Sequence, residues 1–175
     1  RYEAVRVFLS VTTLDGSLSR VMEPRASHPT QRLAAIEALS RAGVQTGVLV
    51  APVIPGLTDH ELPSILAAAV QAGAKVAGYV TLRLPHGVGP LFEQWLGQHF
   101  PDRKDKVLHR IRAIRGGKLN DPRFNSRMRG EGIFAEQIRS LFALACRKAG
   151  IDGRGPALST AAFRLPSNRQ LSLFE

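Results

Sequence analysis

Residues 4 to 12, AVRVFLSVT, alternate in polarity, with Val5, Val7, Leu9 and Val11 on one face and Arg6, Phe8, Ser10 and Thr12 on the other. A strand with a polar tip is predicted there. After a loop holding Asp15, Gly16, Glu23 and Pro24, apolar residues recur at helical spacing through Leu33, Ile36 and Leu39 and stop at Gly43, so a helix is predicted from about Pro29 to Ala42. Val44 to Pro52 reads as a fully buried strand ending in the breaker string PVIPG. Thr58 and Glu61 have the spacing of a capping box, ahead of Leu62, Ile65, Leu66, Ala69 and Val70 on one helical face, with Gly73 as the stop. Val76 to Leu84 forms a third predicted strand, ended by Pro85.

The order β, α, β, α, β with short links predicts an α/β fold with parallel strands and right-handed crossovers. Three such strands cannot bury both faces of a sheet, so they are expected to be part of a barrel or of a larger sheet. Past Pro85 the pattern turns helical. Leu91, Phe92, Trp95, Leu96 and Phe100 make one stripe, Val107, Leu108, Ile111 and Ile114 another, and both are expected to dock on the sheet. A polar loop from Arg115 to Gly132 precedes a helix through Phe134, Ile138, Leu141, Phe142 and Ala145 that ends near Gly150. Gly, Pro, Ser and Arg dominate from Asp152, where a mobile tail to Gln170 is expected. The expected division is 1–85, 86–150 and 151–175.

Composition narrows the function. Lys and Arg number 24 against 14 Asp and Glu, a net charge of +10 that points to a polyanionic partner, nucleic acid first. No apolar run approaches the length of a membrane helix, and no membrane partner is expected. The single cysteine, Cys146, excludes a disulfide framework, a zinc ribbon and a self-contained iron–sulfur site, and makes a cytoplasmic location the expectation. The five histidines have no helical pairing that would suit a metal.

Chemistry in parallel α/β barrels sits at the C-terminal ends of the strands. Those ends supply Ser10, Thr12 and Thr13, then Pro52 to Gly56, then Tyr79, Thr81 and Arg83. Hydroxyls and bare backbone there suit a ribose, an amino acid or an adenine edge; they also serve simply to end strands and make turns.

The runs SVTTLD (Ser10 to Asp15), MEPRA (Met22 to Ala26), Arg32 with Leu33, AGV (Ala42 to Val44) and APVIPGLTDHE (Ala51 to Glu61) carry a resemblance. From Arg1 to about Cys146 the chain resembles the second half of a radical S-adenosylmethionine (SAM) protein, in the branch grouped with spore photoproduct lyase and described as DNA repair photolyase-like. The resemblance implies the C-terminal half of a partial (β/α) barrel with SAM lying across the strand ends, followed by a helical extension. It implies that Ser10 and Thr12 approach the amino acid and ribose of SAM, and that Glu23, Arg25 or Arg32 meets its amino group and carboxylate. Ile54, in the loop reaching Gly56, would pack on adenine, although the motif's first Gly is Pro52 here, and Val80, Thr81 and Leu82 would offer backbone to the adenine edge.

This sequence departs from the family in lacking the CxxxCxxC loop that holds the 4Fe-4S cluster, which Cys146 alone cannot replace. With no initiator Met at Arg1, the expectation is a C-terminal piece whose missing N-terminal half carries the cluster and covers the edge strand at Ala4 to Thr12. The piece alone is expected to be inactive. The parent would cleave SAM reductively, form a deoxyadenosyl radical and abstract hydrogen from nucleic acid.

Cys146 falls on the apolar face of the last helix and is expected to be a buried, inert thiol. Ten cations between Arg103 and Arg129 face only Asp102, Asp105 and Asp121. Among them Arg115, Lys118, Arg123, Arg127 and Arg129 are the candidates for gripping a nucleic-acid backbone, the alternative being a solvated basic face. Gln170, Leu171, Ser172, Leu173 and Phe174, QLSLF, resemble the bacterial sliding-clamp-binding pentapeptide, and a terminal segment that buries its own Leu and Phe is the alternative. Two other functions fit the same residues: a non-catalytic nucleic-acid-binding adaptor recruited to the DNA sliding clamp, and an unrelated α/β enzyme with a phosphate ligand at Gly56.

Overall fold

The alternation at the start of the chain becomes strand β1 (Arg6–Ser10), and the two apolar runs that follow become β2 (Gln45–Val53) and β3 (Val76–Thr81). The structure, a computed structural model, describes residues 4–124, 126–151, 155 and 157–164. All three strands are parallel and lie in the order β1, β2, β3, with Leu9 beside Val48, and Val50 beside Tyr79. Helices α1 (Gly16–Met22) and α2 (Pro29–Arg41) connect the first pair, and α3 (Leu62–Gln71) connects the second. Helices α4 (Val88–His99), α5 (Pro101–Ile114) and α6 (Ile133–Ala149) follow. The α/β reading with a three-stranded parallel sheet therefore holds. Among the described residues no helix is long and apolar enough to cross a membrane.

One face of the sheet is covered. Val48, Val50, Ala77 and Tyr79 pack with Ile36 of α2, Ile65 and Leu66 of α3 and Ile138 and Cys146 of α6. The other face carries Phe8, Gly47, Leu49 and Gly78, and Phe8 is 46% exposed. Phe8 lies close over Gly47, and a Cβ there would come within 2.6 Å of the ring, so the ring would have to move to admit one. Among the described residues no helix packs on this second face, because α2, α3 and α6 all lie against the first.

Several elements differ from the sequence pattern. The segment after Asp15 is a helix rather than a loop, because Asp15 accepts hydrogen bonds from the backbone of Ser17 and Leu18 and so caps α1. Thr58 and Glu61 do not form a capping box. The Thr58 hydroxyl accepts from the Ile54 N–H (2.9 Å), while Glu61 accepts from the Thr13 hydroxyl (2.7 Å) and the Leu14 N–H (2.8 Å). Glu61 thus ties the β1 loop to the start of α3, which begins without a side-chain cap.

Strand β3 ends at Thr81, short of Leu84, because Leu82 and Leu84 enter a second apolar cluster. That cluster joins Leu18 of α1, Ile54 and Leu57 after β2, Leu96 of α4 and Leu108 and Ile111 of α5. Helices α4 and α5 therefore dock on the loops at the strand ends, not on the sheet face expected from their stripes. The Trp95 Nε1–H, donating to the Val21 carbonyl (3.1 Å), pins α1 to α4.

Candidate functional site

Four of the candidate cofactor residues converge at the C-terminal end of β1. Arg32, in the first turns of α2, donates through Nη1 to the Ser10 carbonyl (3.0 Å), through Nε to the Ser27 carbonyl (2.9 Å) and through Nη2 to Glu23 Oε2 (3.2 Å). Thr12 is buried, its hydroxyl 3.2 Å from the same Glu23 oxygen and 3.1 Å from the Ala51 carbonyl at the end of β2. A hydroxyl has one proton, so it serves one of these acceptors at a time. Glu23 is placed by the end of α1, where its N–H donates to the Ser19 carbonyl. Two strand ends and two helix ends thus meet around one guanidinium and one carboxylate.

The ion pair is partly open, with side-chain exposures of 14% for Arg32 and 29% for Glu23. A guanidinium beside a carboxylate, both partly exposed, is complementary to the carboxylate and ammonium of an amino acid. Between themselves the two groups are neutral overall.

The remaining cofactor candidates lie in other surroundings. Arg25 is exposed between α1 and α2. Ile54 is fully buried in the second apolar cluster, and Val80 is half-buried near the end of β3. Gly56 has φ +84°, and a Cβ there would come within 3.2 Å of Arg110 Cδ. The Thr81 N–H donates to the Met128 carbonyl (2.9 Å) and the Leu82 N–H to the Val53 carbonyl (2.8 Å), so both backbone donors are already in use.

Arg115 explains how the loop from 115 to 131 is held. Its side chain donates to the carbonyls of Ser126 and Arg127 (both 2.9 Å) and of Leu82 (2.8 Å), and to the Thr81 hydroxyl (2.9 Å). It is 2% exposed, so it has no surface for a phosphate; it is a strut between β3 and the loop. Burial lowers its pKa, with the charge of Asp121 opposing that shift and Arg83 adding to it.

Asp121 and Ser126 form a second tie within the loop. Hydrogen bonds from the Arg123 side chain, the Ser126 hydroxyl and the Arg123 N–H hold the Asp121 carboxyl well below the usual carboxylate range, against the effect of burial. Arg123 pairs with both Asp121 (2.9 Å) and Glu131 (3.0 Å). Arg127 lies over the Phe124 ring at 3.8 Å and Arg129 over Tyr79 at 5.0 Å. Lys118 is exposed and its side chain has no partner among the described residues.

Cys146 is buried on α6, and burial pushes its thiol pKa up. No group of three His, Cys, Asp or Glu that could hold a metal occurs among the described residues. The clamp-like residues 170–174 lie outside the described residues. The Ser27 and Ala51 carbonyls were missed by sequence reasoning, since backbone acceptors have no residue signature. The Thr13 to Glu61 link was hidden behind a capping pattern.

The chain is 32% identical over 128 residues to an uncharacterized protein of Mycobacterium bovis and to uncharacterized proteins of two strains of Mycobacterium tuberculosis. Each match covers 71% of this chain and 36% of the relative, so the chain spans little more than a third of the length of the curated relatives it matches. No family model matches the chain, and no solved structure does so significantly.

Proposed function

We propose that the chain is the C-terminal half of a radical SAM protein resembling the spore photoproduct lyase branch, forming part of a (β/α) barrel whose parent cleaves SAM reductively and acts on nucleic acid. The observation that carries this reading is the convergence of Ser10, Thr12, Glu23 and Arg32 at the end of β1, the positions the resemblance assigns to the amino-acid end of SAM. Arg32 would take the ligand carboxylate and Glu23 its ammonium, exchanging their mutual ion pair for two charge-assisted bonds. When bound, SAM would supply a sulfonium whose one-electron cleavage gives methionine and a deoxyadenosyl group, which leaves as deoxyadenosine once it has taken a hydrogen atom from the substrate. Thr12 keeps Glu23 oriented, and the Ser10 and Ser27 carbonyls keep Arg32 aimed. The open sheet face with Phe8 and Leu49 supports a place for the rest of a barrel.

An iron–sulfur cluster does not fit the residues of this chain, because its single cysteine is packed into the core beside the sheet. Its ligands would come from a segment outside the chain. The test is deoxyadenosine release by the complete native gene product, purified without oxygen and given SAM and a strong reductant. Release that requires an upstream cysteine triad supports the reading. A gene product that contains no iron and releases none overturns it, leaving a basic adaptor recruited to the sliding clamp as the better account.

A further inference from the structure

A cleft of about 530 Å³ lies away from the Arg32 and Glu23 pair, between the loop after β2, one face of α5 and the start of α6. Arg103, Lys106 and Arg110 line it from α5. Their spacing of three and then four residues puts them on one side of that helix, while Asp102 and Asp105 do not border the cleft. Asp59 is the one carboxylate in the lining, and it is bound to Arg110 at 3.2 Å.

Arg110 is fixed from three sides. Asp59 holds one of its nitrogens, its guanidinium lies 5.1 Å from the centre of the Phe134 ring, and its stem runs along Gly56. Arg103 and Lys106 have no ion-pair partner among the described residues. The cleft therefore combines one preset guanidinium with two uncommitted cations above a floor that includes Phe134 and Ile138. A second neutralising carboxylate is missing from the lining, and an anion of at least two charges would balance it.

We propose that this cleft binds phosphate groups, with Arg103 and Lys106 contacting them directly and Arg110 setting the wall, and that in a protein acting on nucleic acid their source is a polynucleotide strand. The assignment of a strand rests on the function proposed above; a free nucleotide offers the same chemistry from a different source. The Phe134 ring gives a base or sugar an apolar surface beside the phosphate positions.

The test uses the complete gene product and a fluorescein-labelled single-stranded DNA 12-mer of mixed sequence, followed by anisotropy from 50 to 200 mM salt, with ATP as a second probe. The double variant Arg103→Ala/Lys106→Ala is compared with Arg147→Ala/Lys148→Ala, which removes two exposed cations from the far end of α6. Both are expected to melt like the parent chain, because all four side chains are exposed. Each lost phosphate contact flattens the slope of log K against log salt by about 0.7 for a single strand, so the cleft variant should lose about 1.4 and the control nothing.

Loss of DNA binding confined to the cleft variant supports a strand. Loss of ATP binding in that variant, with DNA binding intact, supports the phosphate site with a nucleotide as its source. Unchanged affinity and slope for both probes, or equal losses in the two variants, overturns the proposal, and either result is independent of deoxyadenosine release by the complete gene product.

Discussion

Arg32 and Arg115 perform similar work in different surroundings, each fastening a strand end to a distant segment by donating to backbone carbonyls. They differ in what else they touch. Every acceptor of Arg115 is a carbonyl or a hydroxyl of the fold itself, and 2% of the residue is exposed. Arg32 adds a carboxylate, and both members of that pair keep some contact with solvent. A guanidinium spent wholly on carbonyls and a hydroxyl of the fold belongs to the architecture, whereas one paired with a partly exposed carboxylate can exchange its partner for a ligand.

The largest effect expected from breaking this comparison is at Arg115. Arg115→Ala would leave the Leu82, Ser126 and Arg127 carbonyls without this donor in a buried site, at a cost on the order of 3 kcal/mol or more. Urea unfolding would read it as a lower midpoint. Arg115→Lys should recover less than half of the loss, because one ammonium cannot span loop and strand as the planar fork does. A midpoint unchanged in Arg115→Ala would remove Arg115 from the architecture and end the contrast with Arg32.

Asp121 sharpens the same side of the comparison through pH. Its carboxyl titrates well below the usual range in the folded chain, so its contribution is fully present above the unfolded value of about 4 and is lost as pH falls toward the folded value. Asp121→Asn should therefore be less stable than the parent at pH 7, with the gap closing progressively below about pH 4. Unfolding midpoints across that range check the sign. A gap that stays constant with pH would mean that the carboxylate's charge contributes nothing to holding the loop.

How much of this was legible depended on whether a residue's role was local. The strands and the helices around Ile36, Ile65 and Ile138 could be read from periodicity, because burial on one face leaves a repeat in the sequence. Helix α1 could not, since GSLSRVM holds few apolar residues and depends on the Asp15 cap and the bond from Trp95 to Val21. Glu61 had a local pattern whose tertiary partner, Thr13, won instead. Arg115 looked like its basic neighbours because charge is visible in a sequence and burial of a single polar residue is not. At the candidate site the residue types were legible, whereas the backbone carbonyls that aim Arg32 were not.

Arg32→Ala tests the other side of the comparison, and the expected outcomes separate stability from binding. A partly exposed ion pair contributes at most about 1 kcal/mol, so the midpoint should move far less than in Arg115→Ala. SAM affinity in the complete gene product should fall by about ten- to a hundredfold, the worth of one charge-assisted contact to a carboxylate, and calorimetric titration would measure it. A large loss of stability with unchanged SAM affinity would make Arg32 a strut like Arg115.

The smallest effect on stability is expected at Lys118. Of the five loop residues expected to meet nucleic acid, Arg115 is buried, Arg123 is paired twice, and Arg127 and Arg129 lie over aromatic rings, which leaves Lys118 as the one with no side-chain partner among the described residues. Removing a free exposed cation changes folding by no more than about 0.5 kcal/mol in either direction. Lys118→Ala should therefore leave the urea midpoint in place. If the loop touches a strand, the same variant flattens the salt dependence of oligonucleotide binding by about 0.7, half the change expected for the two cations of the α5 cleft. An unchanged slope in Lys118→Ala beside a flattened one in Arg103→Ala/Lys106→Ala would take Lys118 out of the nucleic-acid contact and place the two cleft cations in it.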